Sequence, residues 1–585
     1  MLLSIELLPA PSGVSSRARR GRRLPWAWIT GCALLGLVLL GLPLHVRMGI
    51  WPDVVFFDLC AKNMLRGGTL YRDIFLHGLS GIIFSFAAVR SLLGWSFEAI
   101  RLVDFALVLA IVCLLAFGPL APARAATERL ALTTILVLFY FATSEWSHCQ
   151  PDTWMMMPAL LALTLRSRRL QTAGIATPAL LAAILEGILW GVAFLFKPMA
   201  IVPAAAAWLI SAIIVWKSHT PPATWQRLFP LWDLAATVTG GLIVGAATVF
   251  WLKVSGNWPY FVEAAIRWNG EYLTQQSKPL LERLVNMLGA FRPWSWLHPV
   301  AILAALWIMV EACRKRAAIG PALLASCYLG WLLEANLLQR QFDYQLAPTI
   351  LLALAVLAAC VEIWRHPVIQ ILVLPVLLAG VITQHPLAEW RRVVLWPRCW
   401  HESSIELRDL LSLELNQRVS ICYRELARAE DYLRGQHVKD REVTCYAISA
   451  LSLYMDMDLE PSNRFILLGV STVFFPSHHE EMRQALIASP QRFVVSDIHD
   501  LSPINPVVKM FPWSEPIVFT AGRYQVRKVT TDKQGRPSVG ELIGPRADRL
   551  HGRPAPRGQP GGAASAGGSL PECDRALPEV LLPIA

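Results

Sequence analysis

What most constrains this chain is a succession of apolar runs, separated by short connections, that leaves no room for an ordinary soluble core. The runs occupy roughly 25–46, 79–95, 101–120, 128–143, 152–166, 178–195, 198–216, 231–252, 297–312, 319–337, 346–364 and 368–384. About 20 apolar residues in a helix match the hydrocarbon thickness of a bilayer, so this pattern predicts a polytopic α-helical membrane protein. Composition points the same way: 16% of the residues are charged, against about 25% in soluble domains. A disordered chain shows the opposite balance. The formal charge of +11 does not imply nucleic acid, because Lys and Arg of a polytopic protein gather in its cytoplasmic connections. The eleven Cys form no C-x-x-C pair and no metal-ligand spacing, which excludes a zinc ribbon or a thioredoxin-type centre.

Sidedness follows from the basic residues. An apolar stretch precedes the cluster Arg17 to Arg23, the reverse of a signal peptide's order, so 25–46 reads as an uncleaved first span with a cytoplasmic amino terminus. Arg124 with Arg129, Arg166 with Arg168 and Arg169, Lys217 with Arg227, Arg314 to Arg316, and Arg365 mark further inside connections. The connection 144–151 has no basic residue and reads as outside. These sides agree only if the run 79–95 does not cross. Arg90 supports that reading, since a central Arg on a crossing helix costs about 2.5 to 3.5 kcal/mol, whereas on an interfacial helix it can snorkel.

The expected layout is therefore a cytoplasmic segment 1–24 and a membrane region 25–384 with outer loops 47–78 and 253–296, making about eleven crossings. The plasma (inner) membrane is the expected location. Beyond it, 385–530 alternates LARAEDYLRGQ, EVTCYAIS, RFILLGV, HHEEMRQALIAS, QRFVVSDI and GRYQVRKV, an extracytoplasmic α/β domain of helix-like and strand-like pieces. Of its cysteines, Cys422 and Cys445 are the pair expected to oxidise there. The Gly, Pro and Ala-rich stretch 531–585 cannot bury a core and is expected to be disordered.

Polar residues cluster on the outer side. In DVVFFDLCAKNML, Val54, Phe57, Cys60, Ala61 and Met64 recur at helical spacing, which predicts an amphipathic helix at the membrane surface. Asp53 opens it and suits an N-cap, while Asp58 and Asp73 read as solvated. Glu145 and Asp152 flank the outer turn SEWSHCQPD, Lys197 interrupts FLFKPMA, and Arg340 precedes Tyr344 by four residues in LLQRQFDYQLAP. Capping, a helix break and interfacial anchoring are the plain structural roles of such residues. The sequence HHEEM lacks the spacing of a zinc helix and reads as a solvated helix start. The lone acids Asp104, Glu186, Glu311, Glu334 and Glu362 invite a transporter or flippase reading, although snorkelling or pairing between helices accounts for most of them.

WPDVVFFDLCAKNMLRGGTLYRD resembles the first outer loop of the C-type (GT-C), polyprenyl-phosphate-sugar-dependent glycosyltransferases, among them the aminoarabinose-lipid A transferases and protein O-mannosyltransferases. QPDTWMMMPALLAL is similar to that family's second outer Asp at the start of a span, FKPMAIVPA to its Lys at a helix break, and RQFDYQLAP to its cation before a Tyr. The chain departs from the pattern at Val54, where Glu often stands, and at Leu79 and Ser80, where Pro-Pro or Lys-Pro is common. No WWDYG-type motif of oligosaccharyltransferases is present.

The resemblance implies transfer of a single sugar from a polyprenyl-phosphate donor in the bilayer to an extracytoplasmic lipid, glycan or protein, with inversion. It assigns Asp53 or Asp152 as general base, and Arg340, Lys197 and Tyr344 to the donor phosphate. Asp58, Asp73 and Glu145 become acceptor or loop candidates. No cofactor is implied outright, although Asp53 and Asp152 could share a divalent cation.

Overall fold

The computed structural model describes residues 23–529 except 122–123, 172–176, 218–223, 275–277, 316–318, 361, 387, 418 and 502–514. The basic segment 1–22 and the stretch 530–585 lie outside the described residues. Every apolar run carries a helix. The elements of the membrane region are α1 (Arg23–Arg47), α2 (Pro52–Leu65), α3 (Gly81–Leu93), α4 (Phe97–Phe117), α5 (Ala126–Ala142), α6 (Pro151–Gln171), α7 (Thr177–Phe196), α8 (Ile201–Trp216), α9 (Thr224–Val254), α10 (Leu280–Gly289), α11 (His298–Lys315), α12 (Ile319–Leu337), α13 (Asp343–Ala359) and α14 (Pro367–Thr383). Among the described residues, five helices are long and apolar enough to cross a membrane, and four shorter apolar ones accompany them. The chain is a multi-pass membrane protein with one continuous apolar core running from α4 to α14.

Two devices hold the bundle together. Helices α7 and α9 approach so closely that a Cβ on Gly187 or Gly240 would collide with the backbone of the facing helix, the small-residue contact expected where lipid offers no hydrophobic drive. Beside that contact, Arg166 and Arg169 of α6 meet Glu186 of α7 and Asp233 of α9, all four buried. Arg166 lies 2.5 Å from Glu186 and 3.2 Å from Asp233, and Arg169 lies 2.7 Å from Glu186 and also pairs with Asp233. Glu186 thus pairs between helices, as one of the two plain readings of a lone acid expected.

The loop 47–78 departs from the expected surface helix. Helix α2 starts at Pro52, whose fixed φ suits the first helical position, and ends before Gly67, where φ is +84°. Its buried residues include Val54, Val55, Phe56, Asp58, Leu59 and Cys60, so no broad face meets solvent. Asp58 is 2% exposed and forms a two-pronged ion pair with Arg90 of α3, at 2.7 and 2.5 Å. Neither the solvated Asp58 nor the snorkelling Arg90 of the sequence reading survives. The pair staples α2 to α3 instead, and Arg90 also donates to the Ser96 carbonyl at 2.6 Å.

After the membrane region come α15 (Trp390–His401), α16 (Ile405–Leu411), α17 (Tyr423–Gly435), β1 (Val443–Cys445), α18 (Leu468–Phe474), α19 (His479–Ile487), β2 (Phe493–Asp497), β3 (Ile517–Ala521) and β4 (Tyr524–Lys528). The sheet order is β1-β2-β4-β3, with β1 parallel to β2 and the other pairs antiparallel. RFILLGV is no strand: Phe465 to Leu468 turn into α18 and bury beside α2. Indeed α2, α3, residues 252–268 and the C-terminal α/β region share one hydrophobic core. Asp409 of α16 accepts from the Tyr423 amide at 2.8 Å, and the Tyr423 hydroxyl reaches Ile50 at 2.9 Å. The expected disulfide is not formed, since Cys445 donates to the Ala450 carbonyl at 3.4 Å while the Cys422 sulfur faces Arg523. The arginines 391, 392 and 398 belong to amphipathic α15, which also presents Trp390 and Val394 to its surroundings.

Candidate active site

The site forms where the starts of α2 and α6, the break between α7 and α8, and the turn between α12 and α13 converge. Pro198 disfavours a helical conformation in the residue before it by crowding that residue's N–H and Cβ. Lys197 is accordingly extended, with φ −150° and ψ 134°, between Phe196 and the turn Pro198–Ala200. The break aims its ammonium across the bundle. Nζ donates to Asp152 Oδ1 at 2.9 Å, lies 2.7 Å from Oδ2, and donates to Gln339 Oε1 at 2.8 Å. Asp152 is fully buried and no backbone amide of α6 is capped by it; its partners are Lys197 and Gln339.

Gln339 and Glu334 complete this group, and the sequence reading missed the first and misplaced the second. The Gln339 amide nitrogen donates to Asp152 at 3.2 Å and to Glu334 Oε2 at 2.6 Å. Glu334 is wholly buried, so it does not snorkel. Arg283 of α10 pins the turn from below by donating to the carbonyls of Asn336 and Gln339, at 2.5 and 3.1 Å.

Asp53 sits in the first turn of α2, one residue past Pro52, with Trp51 in the N-cap position. It is therefore not the cap. Burial pushes its carboxyl up to about 6, while nearby Lys197 and a Gln150 side-chain hydrogen bond pull the other way. The Tyr344 ring lies 5.3 Å from the Lys197 ammonium, and Trp146 stacks on Trp51 beside it, with ring centroids 5.3 Å apart.

Arg340 follows Gln339 on the same turn. Its guanidinium lies 3.9 Å from the Phe474 ring centre and 4.5 Å from that of Tyr272. Its Nε is buried without a hydrogen bond. Among the described residues no carboxylate pairs with it, so a cation is held by ring faces and one backbone contact, at 3.4 Å from the Tyr272 carbonyl. Burial, together with Arg340 and Lys197, pushes the neighbouring His77 down to about 4, which keeps that imidazole neutral. The site thus holds two cations, Lys197 and Arg340, and a half-buried Asp53 that feels the Lys197 charge.

The other candidates lie elsewhere. Glu145 is buried and accepts from the amides of Leu413 and Glu414 at 3.1 and 3.0 Å and from the Ser412 hydroxyl, so it ties the C-terminal region to the outer turn. Asp58 is the staple to Arg90. Asp73 accepts from the Thr69 amide and pairs with Arg72, each near 2.6 to 2.7 Å, and remains partly exposed.

No family model and no curated protein matches the chain by sequence. Solved structures do. ArnT from Cupriavidus metallidurans bound to undecaprenyl phosphate superposes with a TM-score of 0.51 at 14% identity, covering 86% of this chain and 98% of that one. The fold is GT-C-like. ArnT in the apo state gives the same TM-score over 87% of this chain and 98% of its own. The Archaeoglobus fulgidus oligosaccharyltransferase in the apo form, at 0.46 and 11% identity over 85% of this chain and 72% of that one, is too distant to bear on the argument.

At such identities a GT-C-like fold does not carry residue roles with it, and the side chains stand on their own geometry. They do not suit a divalent cation between Asp53 and Asp152. The Lys197 ammonium already occupies the carboxylate face of Asp152, and no group of three or more ligating side chains exists among the described residues.

Proposed function

We propose that this GT-C-like protein is an integral membrane glycosyltransferase that moves one sugar from a polyprenyl-phosphate donor to an extracytoplasmic acceptor with inversion. The observation that carries the reading is the half-buried Asp53 carboxylate near Lys197, together with an Arg340, next to Gln339 on the same turn, that pairs with no carboxylate among the described residues. ArnT's bound undecaprenyl phosphate supports a lipid-phosphate ligand for such a fold.

In this reading the acceptor hydroxyl attacks the anomeric carbon from the face opposite the phosphate. A new carbon–oxygen bond forms as the bond from the anomeric carbon to the phosphate oxygen breaks, the electron pair leaves with the polyprenyl phosphate, and the hydroxyl proton passes to Asp53. A carboxyl poised at about 6 is ionised at neutral pH yet basic enough to take that proton. The leaving phosphate gains charge. Arg340 offers it a planar fork, and Lys197, oriented by Asp152 and Gln339, offers its remaining N–H. Tyr344 adds a hydroxyl beside Lys197. Asp152 is then a positioning residue and not the base.

The topology of this reading has a cytoplasmic amino terminus, about eleven crossings, α3 lying without crossing, and the C-terminal α/β region outside. Helix α3 has 13 residues, about 20 Å of helix, against about 30 Å of hydrocarbon. The transporter alternative loses support because Asp104 and Glu186 sit in separate closed groups: Asp104 accepts from Tyr140, Trp154 and the Cys149 amide. Reconstitution with a radiolabelled polyprenyl-phosphate sugar and membrane extract as acceptor tests the reading, scored by release of polyprenyl phosphate. A deletion strain whose lipid-linked sugars and surface glycans are indistinguishable from the parent's by mass spectrometry would sink it.

A further inference from the structure

At the far end of α2 from Asp53 the outer face holds a second cavity, of about 420 Å³, a volume within the range of about 300 to 1,000 Å³ of small-molecule sites. Lys62 is nine residues from Asp53, so about 14 Å of helix separates the two sites. The cavity lies between the C-terminal turn of α2, the loop 67–74 and the segment 459–464.

Its chemistry is uneven in charge. Five cations line it, Lys62, Arg66, Arg72, Arg441 and Arg464, against two acids in the lining, Asp73 and Glu460, with Arg464 held from outside the lining by Glu263 and Glu481. Lys62 and Arg66 share one carboxylate, that of Asp458 at the rim. Arg441 and Glu460, 63% and 48% exposed, meet at 3.0 Å, and Arg72 is half exposed on Asp73. Exposed pairs of this kind contribute little, whereas an Arg fork on a phosphate or carboxylate makes two parallel charged hydrogen bonds. An entering oxyanion can therefore take these forks from their present partners.

The neutral part of the lining points to more than an ion. Asn63 Oδ1 is buried without a hydrogen-bond partner, an open acceptor for a hydroxyl donor. Leu59, Ile74 and Pro461 supply an apolar floor. Gly68 keeps the space, since a Cβ there would strike the Asn63 amide.

We propose that this cavity binds a saccharide carrying a phosphate or carboxylate group, as the anchoring part of the acceptor. Only its role as acceptor rests on the transferase reading; the binding itself does not. The site selects acceptors whose anionic sugar lies far enough from the reacting hydroxyl to span the length of α2.

The test titrates the full chain in nanodiscs, by calorimetry, with a disaccharide monophosphate, the same disaccharide without phosphate, and inorganic phosphate. The expected result is at least tenfold tighter binding of the phosphorylated disaccharide than of either other probe. Arg72→Ala with Arg441→Ala weakens it at least tenfold, and Asn63→Asp does the same at unchanged melting temperature by placing a like charge in the cavity. Asp53→Asn leaves the titration as it was. Equal affinity for charged and neutral disaccharides, or indifference to both sets of substitutions, overturns the site. Inorganic phosphate binding as well as the phosphorylated disaccharide overturns the saccharide assignment. If binding maps here while no sugar transfer is ever found, the site stands and the transferase reading falls.

Discussion

Two clusters of charged side chains among the described residues are built on opposite plans. The quartet of Arg166, Arg169, Glu186 and Asp233 sets two cations against two acids, with each Arg engaging both carboxylates. The other group sets Asp53, Asp152 and Glu334 against Lys197 and Arg340, and its charges do not close: Arg340 rests on aromatic rings, and the half-buried Asp53 makes no salt bridge among the described residues. A buried pair missing a partner is expensive. The quartet is what a bundle makes when charge serves packing, and under the proposed function the other group is what remains when part of the complement is brought by a ligand.

The sharpest way to break this contrast is Asp53→Asn. Transfer is expected to fall by at least about 100-fold, the lower range for a lost general base, with donor binding retained. Stability should move the other way. The folded state holds the Asp53 proton up to about 6 instead of 3.8, so the ionised group costs stability as pH rises through that window. Asn removes the cost, and the melting temperature at pH 8 should be equal or higher. A parallel loss of melting temperature and activity would make Asp53 a structural acid like Glu186.

Glu186→Gln is the counterpart. Leaving two buried arginines short of an acid is expected to cost about 3 to 5 kcal/mol, seen in thermal unfolding in detergent, while activity per folded molecule stays at the parent level. Loss of turnover in molecules that remain folded would erase the distinction between the groups.

Smaller effects sharpen the comparison. Between pH 7 and pH 5 the rate should drop about tenfold as Asp53 takes up its proton, and the drop should vanish from the residual rate of Asp53→Asn. Gln339→Leu strands Lys197 and Glu334 without their amide and should lower turnover by about fivefold to tenfold, the weight of about 1 kcal/mol for one buried hydrogen bond. Arg340→Ala should raise the donor KM by a similar factor, with Arg340→Lys recovering part of it as a point charge without the fork. A donor KM unchanged by Arg340→Ala would mean that its ring-stacked guanidinium serves only to hold α18 down.

Each apolar run announced a helix because length and hydropathy are local properties, whereas α10 lies in what read as the loop 253–296. The Lys197 break was legible for the same reason, Pro198 acting on its immediate neighbour. Gln339 was not, because a neutral amide in LLQRQ carries no period and no charge, and its partners come from α6, the break after α7, and α12. Asp58 and Arg90 are 32 positions apart, so each looked solvated on its own helix. Trp51 held the N-cap position of α2, which the residue type of Asp53 had seemed to claim. RFILLGV misled because its apolar residues serve a core shared with the first outer loop, a surface that no window along the chain contains.

That shared core also sets an order of manufacture. The α2 segment leaves the ribosome early, whereas Phe465, Phe475 and the strands that wall in its other side come from the last part of the described chain. Phe474, on which Arg340 rests, arrives equally late. A protein still being synthesised holds α2 and Asp53 without their roof and Arg340 without its platform. Under the proposed function, a half-made chain in the bilayer is consequently unable to spend lipid-linked sugar, and competence arrives only once the segment 465–475 is made.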